Sequence, residues 1–368
     1  ALSERGEPVE ILPLYARLSP REQAKVFQPH KRRRVVLSTN VAETSLTVPG
    51  IRYVVDSGLA RIGRYAATSG VFRLPIEPVS RASADQRRGR CGREGPGVCF
   101  RLFSEDDYLG REEHTPPEIR RSNLAQVILR MASLGLGDVG GFPFLDPPRH
   151  AAVRDGYDTL FELGALTRDK QLTAIGERLA EMPIDPRLGR MLIAGHEGRC
   201  LAAVLPIVSA LAVGEVRLRP PEDPEGADRA HAMFVDERSD FLTLLNVWGF
   251  VHRQRLKLSR RGFQHACRDR MLSHTRCREW LELHRQLREQ GGELGLRITG
   301  DETQSDHELD ADAFHLALMT GLVTHVAMRT DAVTYTGVSG RKLRLWPGSV
   351  LFKPRPKWIV AAELVETT

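Results

Sequence analysis

The feature that most constrains this chain is a change of period along it. Up to about residue 115, apolar runs alternate with helical stretches. ILPLY at 11–15, VVLST at 35–39, IRYVVDS at 51–57 and VCFRLF at 98–103 read as strands by their β-branched and apolar content. A helix opening at Pro20 and carrying Ala24, Val26 and Phe27 separates the first two. Strands interleaved with helices predict a parallel sheet with helices on both faces. Between the third and fourth, RIGRYAATSGVFRLPIEPV holds two alternating runs around Ser69-Gly70, the pattern of a β-hairpin, which by sequence alone reads as an ordinary surface hairpin.

From about 121 the period becomes helical. SNLAQVILRMASLGL opens on a Ser/Asn cap, spaces Leu124, Val127, Ile128 and Met131 along one face and stops at glycine. DGYDTLFELGAL and LTAIGERLAEMPID follow as short amphipathic helices, and with the extended Gln171-Leu172 they predict a winged-helix-like unit ending near Pro186. Residues 187–300 read as helical, broken by a polar, proline-rich linker at 217–228. After about 322, VTHVAMR, AVTYTG, KLRLWPG and WIVAAELV alternate as short strands of a small barrel or open sheet.

Apolar residues make up 41% of the 368, enough for sizeable cores, and no apolar run reaches the roughly 18 residues a membrane helix needs. A membrane is therefore not an expected partner. The net charge of +6 says little, but basic residues cluster at Lys31–Arg34, at Arg87–Arg93 and along 252–278. Each cluster reads as a solvated face or as contact with a polyanion. The five cysteines lack CxxC spacing, so neither disulfides nor a metal site is expected, and a reducing cytoplasm fits. ALSERGEPVE carries no leader pattern, and its first residue is not Met, so the chain is expected to begin within a longer protein.

Two stretches carry chemistry. In Gln86-Arg87-Arg88-Gly89-Arg90-Cys91-Gly92-Arg93, a continuous helix would project Arg90 and Arg93 from one face. Guanidinium groups engage phosphate oxygens in pairs, and arginine brought to a γ-phosphate from outside its binding loop stabilises transition-state charge. The bland alternative is a basic helix facing solvent or a phosphodiester backbone. In STNVAETSLT at 38–47, hydroxyls and backbone N–H groups emerge at the carboxyl end of a buried strand, where α/β sheets place ligands. A Ser/Thr-rich loop capping a helix would read the same way.

Together, STNVAETSLTVPGIRYVVDSG and QRRGRCGREGPGVCFRLF resemble motifs V and VI of the superfamily 2 DEAH-box RNA helicases. The resemblance continues through NLAQVILRMASLGLGDVGGFPFLDPP, CRDRMLSHTRCREWLELHRQL and GRKLRLWPGSVLFKPRPKWIVAAELVET, and its subgroup is the bacterial HrpA type. It implies a multidomain α/β plus all-α plus β chain. The expected parts are a second RecA-like lobe at 1–120, a winged helix at 121–187, a helical ratchet bundle at 188–310 and an OB-fold at 311–368. By the same resemblance, Gln86, Arg90 and Arg93 face the nucleotide phosphates, with the arginines as fingers, and Phe27 stacks on the base. Thr39, Ser45 and Thr47 touch the RNA backbone, and the hairpin near 62–77 separates strands. Relatives that hold the ribose carry an acidic residue where this chain has Pro49, so no ribose contact is assigned.

No GxxxxGK[ST] or DExH sequence occurs in the chain. The resemblance places both in a first RecA-like lobe preceding residue 1, which would also hold most of the Mg²⁺ site. The expectation is the C-terminal part of an enzyme moving 3′→5′ on single-stranded RNA with ATP and Mg²⁺, inactive as this chain alone. A helicase-derived binding module without motor activity, and a DNA rather than RNA motor, stay open as rivals.

Overall fold

The computed structural model describes residues 9–15, 23–44, 46–66, 71–73, 75–220, 222–298 and 309–365. These divide into two compact units, 1–122 and 123–368. The first opens with β1 (Val9–Leu14) and β2 (Arg33–Ser38), paired in parallel so that Leu14 lies opposite Ser38. β3 (Tyr53–Asp56) and β8 (Val98–Arg101) form a second parallel pair, so the expected sheet appears as two hydrogen-bonded pairs among the described residues. Helices were expected on both faces. Leu37, Tyr53, Val55, Val98, Phe100 and Leu102 are instead exposed. The helix expected from Pro20 is, in its described part, a 3-10 turn at Lys25–Phe27, with Val26 buried.

The hairpin pattern holds. β4 (Leu59–Arg61) pairs antiparallel with β7 (Ile76–Pro78), and β5 (Arg64–Ala66) with β6 (Val71–Arg73); Ser69-Gly70 lies outside the described residues. Upstream of the hairpin, α1 (Val41–Thr44) follows β2 directly. Downstream comes α2 (Arg81–Arg88), capped by the Ser80 hydroxyl on the Ser83 N–H. Carbonyls of Glu112 and Glu113 take the N–H groups of Arg81 and Ala82, two more donors that a helix start leaves over. The short α3 (Glu105–Gly110) is capped in the same way by Ser104.

In the second unit, α4 (Ala125–Ser133), α5 (His150–Glu162) and α6 (Ala174–Glu181) come with a β-bridge between Leu166 and Leu172. Leu124, Ile128 and Met131 are buried as expected, but Leu129 turns inward in place of the half-exposed Val127. A helix turns by about 100° per residue, so packing on α5 and α6 selects which flank of an apolar stripe goes in. Then follow α7 (Pro186–Glu197), α8 (Leu201–Val213), apolar but for Ser209, α9 (Pro224–His231), α10 (Asp240–Lys257), α11 (Arg260–Asp269) and α12 (His274–Glu293). The linker expected at 217–228 gives way to α9 because Asp223 accepts from the Gly226 N–H and Pro224 fills the first helical position. No described helix is long and apolar enough to cross a membrane.

After α13 (Ala311–Met319), four antiparallel strands form an open sheet in the order β11-β10-β9-β12. They are β9 (Val326–Arg329), β10 (Tyr335–Gly337), β11 (Lys342–Leu343) and β12 (Trp358–Val360), with Ala327, Tyr335 and Ile359 as their core. Asp240 anchors this segment to the start of α10, accepting from the Ser349 hydroxyl at 2.6 Å and the Val350 N–H at 3.1 Å.

Helix α6 passes so close to the chain before it that a Cβ on Gly176 would meet the Ala165 carbonyl. Gly176→Ala should therefore destabilise the second unit by about 1–3 kcal/mol, the range for overpacking. Urea unfolding followed by circular dichroism checks this, and an unchanged midpoint contradicts it.

Candidate functional site

The two chemistry-bearing stretches meet. Thr39 leaves β2 with its N–H on the Leu14 carbonyl and its own carbonyl on the Ala42 N–H, which starts α1. The chain then runs through Leu46 and Thr47 to Gly50, whose N–H donates to Glu94 Oε2 at 3.0 Å. Ser45 lies outside the described residues. On the other side, α2 stops at Arg88. Gly89 and Arg90 continue as tight turns, and a Cβ on Gly97 would meet the Cys91 carbonyl, so only glycine lets the chain double back there. Arg90 and Arg93 thus stand in the turn after the helix, which corrects the expectation that they share a helical face.

Arg90 is half-tied. Its Nη1 donates to the Leu46 carbonyl at 3.2 Å and the Thr47 hydroxyl at 3.4 Å, and Nη2 donates to the Glu43 carbonyl. Its Nε is buried without a hydrogen-bond partner. Burial, then the positive charge of Arg93, lowers the Arg90 pKa, with Glu43 offsetting part of this. Arg93 is exposed and has no hydrogen-bond or ion-pair partner among the described residues. Gln86 sits exposed on α2. The site therefore presents one anchored and one reaching guanidinium, an arrangement that suits an anion.

Phe27 is 38% exposed while Val26 beside it is buried, so Phe27 is not a core residue. Arg34 pins its turn, donating from Nη1 to the carbonyls of Val26 and Gln28 and from Nε to Glu10 at 2.8 Å. Among the described residues, no hydrogen bond or ring contact joins Phe27 to the arginine turn.

Sequence reasoning missed the residue that organises the site. Arg87 donates from Nε to Glu43 Oε2 at 2.9 Å and from Nη1 to Asp56 Oδ1 at 2.8 Å and the Leu59 carbonyl at 3.2 Å. Burial alone would pull its pKa down, but the hydrogen bonds to Asp56 and Glu43 outweigh that and hold it above the ordinary arginine value. The signal was available: an aspartate closing the apolar strand YVVD is a charge that must be paired if buried. Nearby, Asp85 binds Arg101 at 2.7 Å and the Tyr108 hydroxyl at 2.8 Å. Burial would raise its pKa, but these bonds hold it below the usual carboxylate value.

Four family models match the chain in order. They are the helicase conserved C-terminal domain at 1–95, the winged-helix and ratchet-like parts of the helicase associated domain at 158–184 and 185–244, and an oligonucleotide/oligosaccharide-binding fold at 314–368. The chain is 48% identical over 365 residues to the ATP-dependent RNA helicase HrpA of Escherichia coli. Over 367 residues it is 44% identical to the HrpA homolog of Haemophilus influenzae. The chain is a homologue of the DEAH-box RNA helicases. It is also 32% identical over 373 residues to the Arabidopsis thaliana pre-mRNA-splicing factor ATP-dependent RNA helicase DEAH10. Each alignment takes in 98% of this chain, but the chain spans only 28% of the two bacterial relatives and 51% of the plant one. The HrpA-type and DEAH-box relatives therefore match it from the RecA-like helicase C-terminal domain through to the OB-fold.

Asp56 is buried and its Oδ2 has no partner, so Arg87 carries its compensation. Arg87→Met should cost the first unit about 3–5 kcal/mol, the range for stranding one member of a buried ion pair. Adding Asp56→Asn should restore much of that. All four tryptophans lie beyond residue 122, so hydrogen exchange at the amides of β3 and α2 is the suitable readout. Equal protection in wild type and Arg87→Met would contradict the assignment.

Proposed function

We propose that the chain forms the second motor lobe and accessory domains of an ATP-dependent RNA helicase, translocating 3′→5′ on single-stranded RNA. The meeting of the loop at 39–50 with the turn at 86–97, Arg90 bound between them and Arg93 left reaching outward, is the observation that carries this reading. The relatives named as ATP-dependent RNA helicases support it. Divisions near 120, 187 and 310 belong to the same reading, supported by the change of compact unit after Ser122 and the start of α13 at Ala311.

ATP supplies the phosphoryl group whose transfer drives the motion. In this reading Arg90 and Arg93 are the fingers, Arg93 reaching toward the γ-phosphate while Arg90 also shapes the turn through its bonds to Glu43, Leu46 and Thr47. Gln86 faces the phosphates and Phe27 the base, while Thr39, Ser45 and Thr47 contact the RNA backbone. The donor set fits a polyphosphate: exposed cationic side chains beside small hydroxyls and backbone amides. It does not suit Mg²⁺, since the side chain that reaches outward at the turn, Arg93, is cationic and the carboxylates of Glu43 and Asp56 are taken by Arg87. We assign the metal carboxylate and the phosphate-cradling loop to the preceding RecA-like lobe, and the cytoplasm as the compartment.

Single-strand binding fits the C-terminal sheet. Residues 326–360 hold seven Lys and Arg against one acidic residue, and Trp346 and Trp358 are exposed there. Basic surfaces with free aromatic faces grip strands through phosphate contacts and base stacking.

Arg93 separates the finger reading from simple backbone binding. In the full-length helicase, Arg93→Ala should lower kcat for ATP at saturating RNA by about 10³–10⁵ while RNA affinity without nucleotide barely moves. Arg93→Lys should remain badly impaired, because lysine lacks the forked geometry. The 368-residue chain alone should release no phosphate above background. Lost RNA affinity with surviving kcat would refute the finger, and turnover by this chain alone would refute the assignment of the missing half-site.

The strand-binding surface has its own test. The affinity of this chain for single-stranded RNA should fall with salt, with a log–log slope of about −0.7 per phosphate contact. Trp358→Ala should weaken binding by about 1–3 kcal/mol without changing that slope. A salt-independent affinity, or an unaffected tryptophan variant, would refute the corresponding part.

A further inference from the structure

The guanidinium of Arg87 faces two structures at once. Through Nε it holds Glu43 in α1, the residue whose carbonyl also takes Arg90. Through Nη1 it holds Asp56, which in turn accepts from the Gly58 N–H at 2.9 Å, and the Leu59 carbonyl, the first residue of the hairpin strand β4. Two further arginines grip the hairpin root. Arg111 donates to the carbonyls of Gly58 and Val79 at 3.0 and 3.3 Å, and Arg121 to that of Gly63 at 3.3 Å. Their other bonds go elsewhere than α1: Arg111 also binds Asp107 and lies over the Phe103 ring, and Arg121 also donates to the Pro116 carbonyl at 2.8 Å. Among the described residues, Arg87 is the one of the three that reaches across to α1.

We propose that Arg87 is a positioning residue that couples the arginine turn to the root of the hairpin at 59–78, so that turnover at the one drives strand separation at the other. This rests on the helicase reading above. The physical case is geometric. A planar guanidinium offers donors in several directions from one rigid plane, so Glu43, Asp56 and Leu59 are held at fixed mutual distances. Asp56 is buried and Glu43 nearly so, with side-chain exposures of 1% and 13%, so water does not screen these bonds and the tie is stiff. The root itself is braced by Val79 donating to Gly58 and Ile62 to Pro75, so a displacement of Leu59 is passed to both hairpin arms.

The test uses the full-length helicase and an RNA duplex with a 3′ single-stranded tail. Three variants each cut part of the tie: Arg87→Lys, Glu43→Gln and Asp56→Asn. Expected for each is strand separation per ATP hydrolysed reduced about tenfold or more, a fall clearly larger than any fall in kcat for ATP. Because all three cut one connection, Arg87→Lys combined with Glu43→Gln should be no worse than Arg87→Lys alone. A proportional fall in turnover and unwinding, unchanged unwinding, or additive effects would overturn the proposal.

Hydrogen exchange in the same proteins decides the coupling without turnover. Glu43→Gln, the mildest change and the one farthest along the chain from the hairpin root, should speed exchange at the amides of Ile62 and Val79. Unchanged exchange there overturns the tie. Failure of wild type to hydrolyse ATP would instead count against the helicase reading, and is distinguished by this second measurement.

Discussion

Asp56, at the end of β3, is itself almost unexposed, and a carboxylate in such a place must be met by a positive charge or lose several kcal/mol. Arg87 meets it, and because the same guanidinium also binds Glu43 and the Leu59 carbonyl, that one requirement fixes three segments together. The loop after β2, the helix before the arginine turn and the start of the hairpin come from positions 43, 87 and 59, far apart in the chain. Around this centre the remaining charges fall into place: Arg90 on the carbonyls of Glu43 and Leu46, Glu94 on the Gly50 N–H, and Asp85 between Arg101 and Tyr108.

The second unit depends on apolar packing instead. Helix α8 is buried over most of its length, and Trp248 and Trp280 pack against each other beside it, their ring centroids 5.1 Å apart. The indole N–H of Trp280 donates to the Pro206 carbonyl at 2.8 Å, whereas that of Trp248 is buried without a hydrogen-bond partner. Asp240 then turns the start of α10 into an anchor for the C-terminal sheet, leaving Trp346 and Trp358 uncovered. The unit thus combines a packed apolar interior with a surface of basic residues and exposed tryptophans.

Much of the fold was legible because it rests on local pattern. The strands VVLS and YVVD, the hairpin arms around 61–79 and the stop of α4 before Gly135 follow from β-branched content, alternation and glycine. Helix α9 was legible too but was read as a linker, since the Asp-Pro start was outweighed by the surrounding polar, proline-rich residues. In the site, the residue types at 86–93 pointed to an anion. Their placement was misread, because a spacing of three suggested a helix that in fact ends at Arg88.

The sequence by itself determined the order of architectures, the cationic and hydroxyl residue types of the candidate site and the resemblance to DEAH-box helicases. Each of these is written in local periods or contiguous motifs. Only the tertiary structure decided which arginine does what. Arg87, Arg88, Arg90 and Arg93 are chemically alike and lie within one octapeptide. Their roles part because Glu43, Asp56 and the carbonyls of Leu46 and Leu59 arrive from distant segments to claim Arg87 and Arg90, while Arg93 is left reaching into solvent. Partner choice among identical side chains is a matter of distance in space, and no local pattern carries that information.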